Sequence, residues 1–304
     1  MPDRWKFFAT IVALSVSAPF FSPPENTEPR WPAAHIDPDR LGAAFNDQFT
    51  TFSLYDNAAR WGTWKTNYAF GAQSGRRAID SRTLPANAEL QVYVDPGLSG
   101  TGVRPLGLDP FSVSGGLVIH AGPTPPALVR TLWGRRYVSG LLTTETSFSQ
   151  TYGYFAIRAA LPRRAGVWPA FWLLPVDGKG AAEIDVFESI GADTVYQSVH
   201  GGPNGRATET QFETRVADVA RPHDYGVLWT ATTIAFYIDG RRTAVTPTPP
   251  DLVGRPMYML IDLAVGGRWP GPPRPGFRGA DLRVQSVRVW VTTPGGGFRR
   301  GSTR

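Results

Sequence analysis

With 304 residues and a hydrophobic content of 42%, the chain can bury one large core or two smaller ones, and a disordered protein is excluded. The net charge of +6 rests on scattered arginines, with three lysines (Lys6, Lys65, Lys179) and a single dense basic patch at 295–304, so no nucleic-acid-binding face is implied. Cysteine is absent, which removes any dependence on disulfides, and 33 glycines with 28 prolines interrupt the chain too often for long helices.

The elements follow in chain order. Arg4 and Lys6 precede the apolar run 7–14, extended by 15–21, and the sequence then turns polar at Ser22. Positive start, short apolar run and small residues are the order of a secretion signal, and the run is shorter than the about 20 residues a membrane span needs. Residues 1–21 are therefore expected to export the chain to the periplasm or the medium. An uncleaved anchor is the alternative, because Pro19 spoils the site after Ala18. Residues 22–44 are rich in proline and read as a linker, and 295–304 as a solvated tail. Between them, 45–294 reads as one domain of short strands. In 152–161 the residues Phe155, Ile157, Ala159 and Leu161 alternate, as do Ile234, Phe236 and Ile238 before the turn signal Asp239-Gly240. Residues 117–119, 195–200, 257–263 and 282–291 are further strands, and no sustained helical period appears. The predicted fold is all-β, a jelly-roll sandwich of two antiparallel sheets.

Chemistry concentrates in the strand-like run Glu183-Ile184-Asp185-Val186-Phe187-Glu188. Side chains alternate along a strand, so Glu183, Asp185 and Phe187 would share one face and Glu188 would point into the layer of Ile184 and Val186. An unpaired buried carboxylate is costly. A β-bulge between Asp185 and Glu188 absorbs one residue and returns Glu188 to the face of Glu183. The two Cα atoms then lie roughly 13 Å apart, and side chains leaning together can approach the 5–5.5 Å carboxyl separation of a retaining glycosidase. Three neighbouring carboxylates cannot all ionise freely, so at least one pKa should rise, giving one anionic nucleophile and one protonated acid. An edge strand made acidic for solubility is the competing reading.

Just upstream, Gly166-Val167-Trp168-Pro169-Ala170-Phe171-Trp172 places Trp168 and Trp172 near the acids. An indole face suits the C–H face of a pyranose, so both are candidate sugar platforms as well as candidate core residues. His200 ends the next strand, as a hairpin partner would; from there it could hydrogen-bond the acid/base carboxyl, and a satisfied structural histidine is the competing reading. No His, Asp or Glu spacing indicates zinc, and no phosphate-binding glycine loop occurs.

These motifs resemble glycoside hydrolase family 16, whose Glu-x-Asp-x-x-Glu signature follows a Gly-x-Trp-Pro-Ala-Phe-Trp run. The resemblance extends to 87–93, 139–145, 148–154, 225–229 and 263–271, and is similar in flavour to bacterial glycanases acting on exopolysaccharides of the succinoglycan type. It implies a concave cleft for an internal stretch of polysaccharide and a retaining endo-β-glycosidase. Glu183 would be nucleophile, Asp185 its orienting neighbour and Glu188 the acid/base. Trp168 and Trp172 would line the sites beside the cut bond, Asn87 would bind sugar further along, His200 would flank Glu188, and Trp269 would be an extra platform. The expected partner is the polysaccharide alone, with a monomeric protein, no cofactor, no nucleic acid and no membrane span after signal removal. A transglycosylase using the same site, or a non-catalytic carbohydrate-binding jelly roll, are the alternatives.

Two positions depart from the family. The places of its structural calcium ligands read Asp47-Gln48-Phe49 and Val284-Gln285-Ser286, and loss of the late aspartate removes a charged oxygen ligand, so no calcium is expected. Ala156 stands where the family has a glutamate, with the expected loss of a surface ion pair.

Overall fold

The computed structural model describes residues 43–202 and 208–291. The expected export segment 1–21, all but the last two residues of the linker 22–44, and the tail 295–304 lie outside the described residues.

The strands are β1 (Phe45–Asp47), β2 (Gln91–Tyr93), β3 (Phe111–Val113), β4 (Leu117–Pro123), β5 (Tyr137–Ser139), β6 (Leu141–Thr143), β7 (Gly153–Ala160) and β8 (Val167–Pro175). They continue as β9 (Glu183–Glu188), β10 (Thr194–Gly201), β11 (Thr208–Arg215), β12 (His223–Trp229), β13 (Thr233–Ile238), β14 (Arg241–Pro247), β15 (Met257–Val265) and β16 (Ala280–Trp290). They form two sheets. One runs β14-β13-β12-β7-β16-β4-β5-β2, with β1 on β16 and β3 on β4; the other runs β11-β10-β9-β8-β15-β6. All pairings are antiparallel except β2 with β5. The fold is the expected sandwich, and the expected alternating faces are the buried ones: Phe155, Ile157 and Ala159 of β7 and Ile234, Phe236 and Ile238 of β13 all enter the core. Asp239 and Gly240 both take positive φ, as the tight β13–β14 hairpin demands.

The core between the sheets is closed from the six-stranded side by Phe171 and Leu173 of β8, Ile184, Val186 and Phe187 of β9, and Met257, Met259, Ile261, Leu263 and Val265 of β15. Each such side chain contributes about 1.5–3 kcal/mol of burial. The alternate residues of the same strands form the opposite face of that sheet. Tyr258, Leu260, Ala170, Trp172 and Leu174 gather there with Tyr68 and Tyr93, so the face that carries the site has its own aromatic floor.

The other sheet also has a second apolar cluster, Tyr154, Ala156, Leu228, Ala235, Tyr237 and Trp290. This corrects the expectation for Ala156: the position is buried among aromatic rings, and alanine fits there by packing. Beside it Gly226 must lack a side chain, since a Cβ would lie 2.2 Å from the Tyr154 hydroxyl. The neighbouring Arg158 supplies the ion pair of this surface, to Asp224 at 2.5 Å, and its Nε donates to Gln285 at 2.9 Å. Gln285 is itself the extra residue where the β16–β7 register shifts between Val284 and Ser286. Asp47 accepts from the Phe49 amide (2.8 Å) and from Trp64 Nε1 (2.7 Å), so both its oxygens serve the protein.

Candidate active site

The β9 run does contain one residue too many for its neighbours. Against β8, Phe187 faces Phe171 while Asp185 faces Trp172, and against β10, Glu188 faces Tyr196 while Asp185 faces Ser198. β9 thus spans three residues against two of β8, and four against three of β10. The bulge turns Val186 and Phe187 both into the core and leaves Glu183, Asp185 and Glu188 on the cleft face, with both glutamates half-buried and Asp185 buried. A bulge strands a backbone carbonyl, and Gln197 answers it: its Nε2 donates to Val186 O at 3.1 Å, while its Oε1 accepts from Thr243 at 2.6 Å. Gln197 is wholly buried, and no feature of its own segment marks it out in the sequence.

Burial raises the carboxyl pKa of both Glu183 and Glu188 well above the ordinary range, and the neighbouring Asp185 charge raises both further. The charge of His200 opposes the rise in both. His200 faces Glu183 across the β9–β10 ladder, and its Nε2 lies 2.9 Å from Asp185 Oδ2. The expected hydrogen bond from His200 to the Glu188 carboxyl is therefore replaced by an ion pair with Asp185. The register explains it, because the bulge lies between His200 and Glu188. Burial disfavours the imidazolium, but the adjacent Asp185 carboxylate and the Glu183 charge outweigh burial and bring the His200 pKa to about 10. The ring is cationic at neutral pH.

Glu188 has a different partner. Trp168 Nε1 donates to its Oε1 at 2.8 Å, holding one oxygen and leaving the other for a proton. Trp168 meets Trp269 edge-on at 5.4 Å, and Trp269 meets Tyr196 edge-on at 4.6 Å. These three half-buried rings form a continuous aromatic wall beside Glu188. Tyr196 had no place in the sequence-based set, although it lies directly across the ladder from Glu188.

Trp172 differs from Trp168. It faces Asp185 in register but is 7% exposed, packed edge-on against Tyr68 at 6.1 Å, with its Nε1 donating to Asp262 Oδ1 at 2.8 Å. It forms the floor under the acids. Asp262 also accepts from the Tyr93 hydroxyl at 2.8 Å, and burial, opposed by these two donors, lifts its pKa to about 7. A second buried carboxylate, Glu89, accepts from Leu84 N (3.1 Å), Asn87 Nδ2 (3.2 Å) and Gln91 Nε2 (2.7 Å), and burial with the Asp262 charge lifts it to about 7. Asn87 is half-buried; its carbonyl accepts from Arg268 N at 2.8 Å, tying it to the loop that carries Trp269.

With this geometry in view, residues 127–282 match the profile of glycosyl hydrolases family 16. The chain belongs to that family. It is 39% identical over 259 residues to the endo-1,3-1,4-beta-glycanase ExsH of Rhizobium meliloti (strain 1021), and 41% identical over 259 residues to the endo-1,3-1,4-beta-glycanase EglC of the same organism. Each match covers 84% of this chain and 53% of the relative, so the chain spans about half the length of the curated relatives it matches. Among solved structures, the laminarinase from Rhodothermus marinus superposes with a TM-score of 0.62 at 27% identity, over 85% of this chain and 98% of that one. The sandwich is thus the jelly roll of family 16.

The family signature accounts for the carboxylates of β9, but the floor acids Asp262 and Glu89 and the bulge partner Gln197 come from the tertiary structure. One grouping also has the make-up of a metal site: ligand atoms of Glu183, Asp185 and His200 lie within 4.8 Å of one another. A metal requires a neutral imidazole, whereas this ring is held cationic against Asp185.

Proposed function

We propose that the chain is a retaining endo-β-glycanase that cuts internal linkages of a β-glucan or bacterial exopolysaccharide. The observation that carries the reading is the bulge in β9, which puts Glu183 and Glu188 on one face with the Asp185–His200 ion pair beside them. Glu183 attacks the anomeric carbon as the leaving oxygen takes the proton of Glu188, forming a glycosyl ester on Glu183. Glu188, now anionic, removes a proton from water, which attacks the same carbon and frees Glu183. Two successive inversions retain the β configuration.

The electrostatics support these roles. Burial and Asp185 keep Glu188 protonated for the first step. Glu183 must ionise, and the cationic His200 across the ladder from it lowers that cost. Trp168, Trp269 and Tyr196 provide an aromatic wall for sugar at the acid/base, and Asn87 offers an amide further along. The names of the relatives point to β-1,3-1,4 linkages, and a polymer of that size is met outside the cytoplasm, where we place the activity. The protein acts as a monomer, with no cofactor. Because Asp47 and Gln285 already serve internal donors, added calcium is expected to leave the melting temperature unchanged.

The test is Glu183→Gln. Reducing-end release from mixed-linkage β-glucan should fall by on the order of 10⁴-fold or more, with polysaccharide retention in affinity electrophoresis intact. Proton NMR of early wild-type products should show the β anomer first. Substantial residual activity, or α anomers first, would sink the assignment.

A further inference from the structure

Among the described residues, Trp61 is the one aromatic side chain in the set of exposed large apolar groups, at 69% exposure, and it takes part in none of the ring contacts. Single exposed apolar residues are ordinary. This one is held differently. Its hairpin is closed by Asp56, whose Oδ1 accepts from Ala58 N (2.7 Å) and Ala59 N (3.0 Å), while Asp56 N donates to Trp61 O at 2.8 Å. Gly62 follows at φ 119°, where a Cβ would sit 2.2 Å from Leu54 O, so the two arms of the hairpin are pressed against each other. Trp64, wholly buried with Nε1 on Asp47 and its ring stacked on Phe49 at 5.7 Å, pins the base.

The position matters as much as the rigidity. Lys65 and Thr143 exchange both backbone hydrogen bonds, 2.9 and 2.8 Å, so the segment after Trp61 extends the cleft sheet beyond its edge strand β6. Ser147 Oγ adds a bond to Thr63 O at 2.6 Å, and Lys65 pairs with Glu145 at 3.1 Å. Counting strands from β9 through β8, β15 and β6 to Lys65 gives four steps, about 19 Å across the sheet. A polysaccharide lying across the strands reaches that edge only after several sugar units.

We propose that Trp61 is a remote carbohydrate platform, stacking its indole on the C–H face of a neutral glycosyl unit several positions from the cut bond. An exposed indole face on a stitched hairpin loses little freedom on binding, which is what a stacking platform requires. The platform rests on the glycanase reading only for its position along the substrate.

The experiment uses the full chain with Trp61→Ala and Trp61→Phe, each alone and in the Glu183→Gln background. The probes are lichenan, laminarin and their oligosaccharides. Trp61→Ala should weaken retention of the Glu183→Gln protein by lichenan about 3- to 10-fold, with most of it restored by Trp61→Phe. In the active background KM should rise by a similar factor on polymer, with an effect that shrinks as the oligosaccharide shortens. Equal retention of Trp61→Ala and parent would overturn the proposal, as would an effect independent of chain length. So would a change confined to self-association in gel filtration. If the wild type cleaves neither glucan yet Trp61→Ala abolishes retention, the β-glucan reading of the substrate fails and the platform stands. Absence of any retention by either glucan overturns the platform.

Discussion

Two groups of buried acids lie on the same sheet, and they are built in opposite ways. The floor pair, Asp262 and Glu89, is saturated with donors: Tyr93 and Trp172 on one, Leu84, Asn87 and Gln91 on the other. The β9 acids have few. Glu188 accepts from Trp168, and Asp185 is ion-paired with His200. Burial raises Asp262, Glu89, Glu183 and Glu188 alike, yet of these only Glu183 and Glu188, half-buried on the cleft face, keep an oxygen free toward it. A carboxylate with a donor on each oxygen positions those donors; one with an oxygen left open to the cleft can also move a proton. The contrast separates structure from chemistry within one patch of side chains.

Exchanging the two groups' roles by mutation gives the largest expected effects. Glu188→Gln should lower turnover of polysaccharide by about 10²–10⁴-fold and leave the melting temperature unchanged or higher, because a strained buried acid is removed. Asp262→Leu should do the reverse. It strands the Trp172 N–H and the Tyr93 O–H, costing about 1–3 kcal/mol for each donor left without an acceptor. Activity should fall less than in Glu188→Gln, through the loosened floor. Asp262→Asn keeps an oxygen for Trp172 and should recover most of that stability. Thermal melts and turnover of the three variants, measured together, check this. Equal losses of stability in Glu188→Gln and Asp262→Leu would erase the distinction.

The pH dependence of stability sharpens it next. Asp262 and Glu89 are lifted from ordinary values of 3.8 and 4.5 to about 7, so across that window the folded chain binds more protons than the unfolded one. Their contribution is complete below about pH 4 and is lost as the pH rises through about 7. His200, lifted from 6.5 to about 10, has the same sign at higher pH: its contribution is complete below 6.5 and is lost through about 10. Stability should therefore decline from mildly acid to alkaline pH. Asp262→Asn should flatten the lower part of that decline and His200→Gln the upper part, as read by melting temperatures at pH 5, 7 and 9. A parallel decline in all three proteins would count against these assignments.

How much of this was legible beforehand follows from the range of each interaction. The bulge was, because an acid displaced from its face within six residues is a local contradiction that only an extra residue resolves. The alternating faces of β7 and β13 were equally local. Asp262 was not, since it lies in an otherwise apolar strand and its partner Tyr93 is 169 residues away. Gln197 was hidden for a related reason, as its role is defined by a carbonyl that exists only once the bulge has formed. Trp168 and Trp172 read alike in sequence, and only their contacts separate a wall residue from a floor residue: Trp172 packs with Tyr68 and Tyr93, Trp168 with Trp269. The sequence places Ala156 on an outer strand face that reads as solvated, whereas that face carries Tyr154, Tyr237 and Trp290. His200 was placed on the correct strand, but its partner depended on the register shift between Tyr196 and Ser198.

That register shift leads to the smallest and most discriminating effect. His200 sits beside Asp185, yet its charge lowers the pKa of both Glu183 and Glu188. Replacing it by glutamine removes the cation while keeping a donor for Asp185. Both glutamates should then titrate higher. On the proposed roles, the acid limb of the activity profile is set by ionisation of Glu183 and should move up in pH; the alkaline limb, set by loss of the Glu188 proton, should move up with it. His200→Gln should thus lose about tenfold in rate on the acid side and regain much of it as the pH is raised. A residue that merely packs the hairpin would lower the whole profile without moving it. The profile of kcat/KM against pH on mixed-linkage β-glucan separates the two: a displaced bell makes His200 a positioning residue for the charge of Glu183, and a bell lowered in place leaves Asp185 alone in that role.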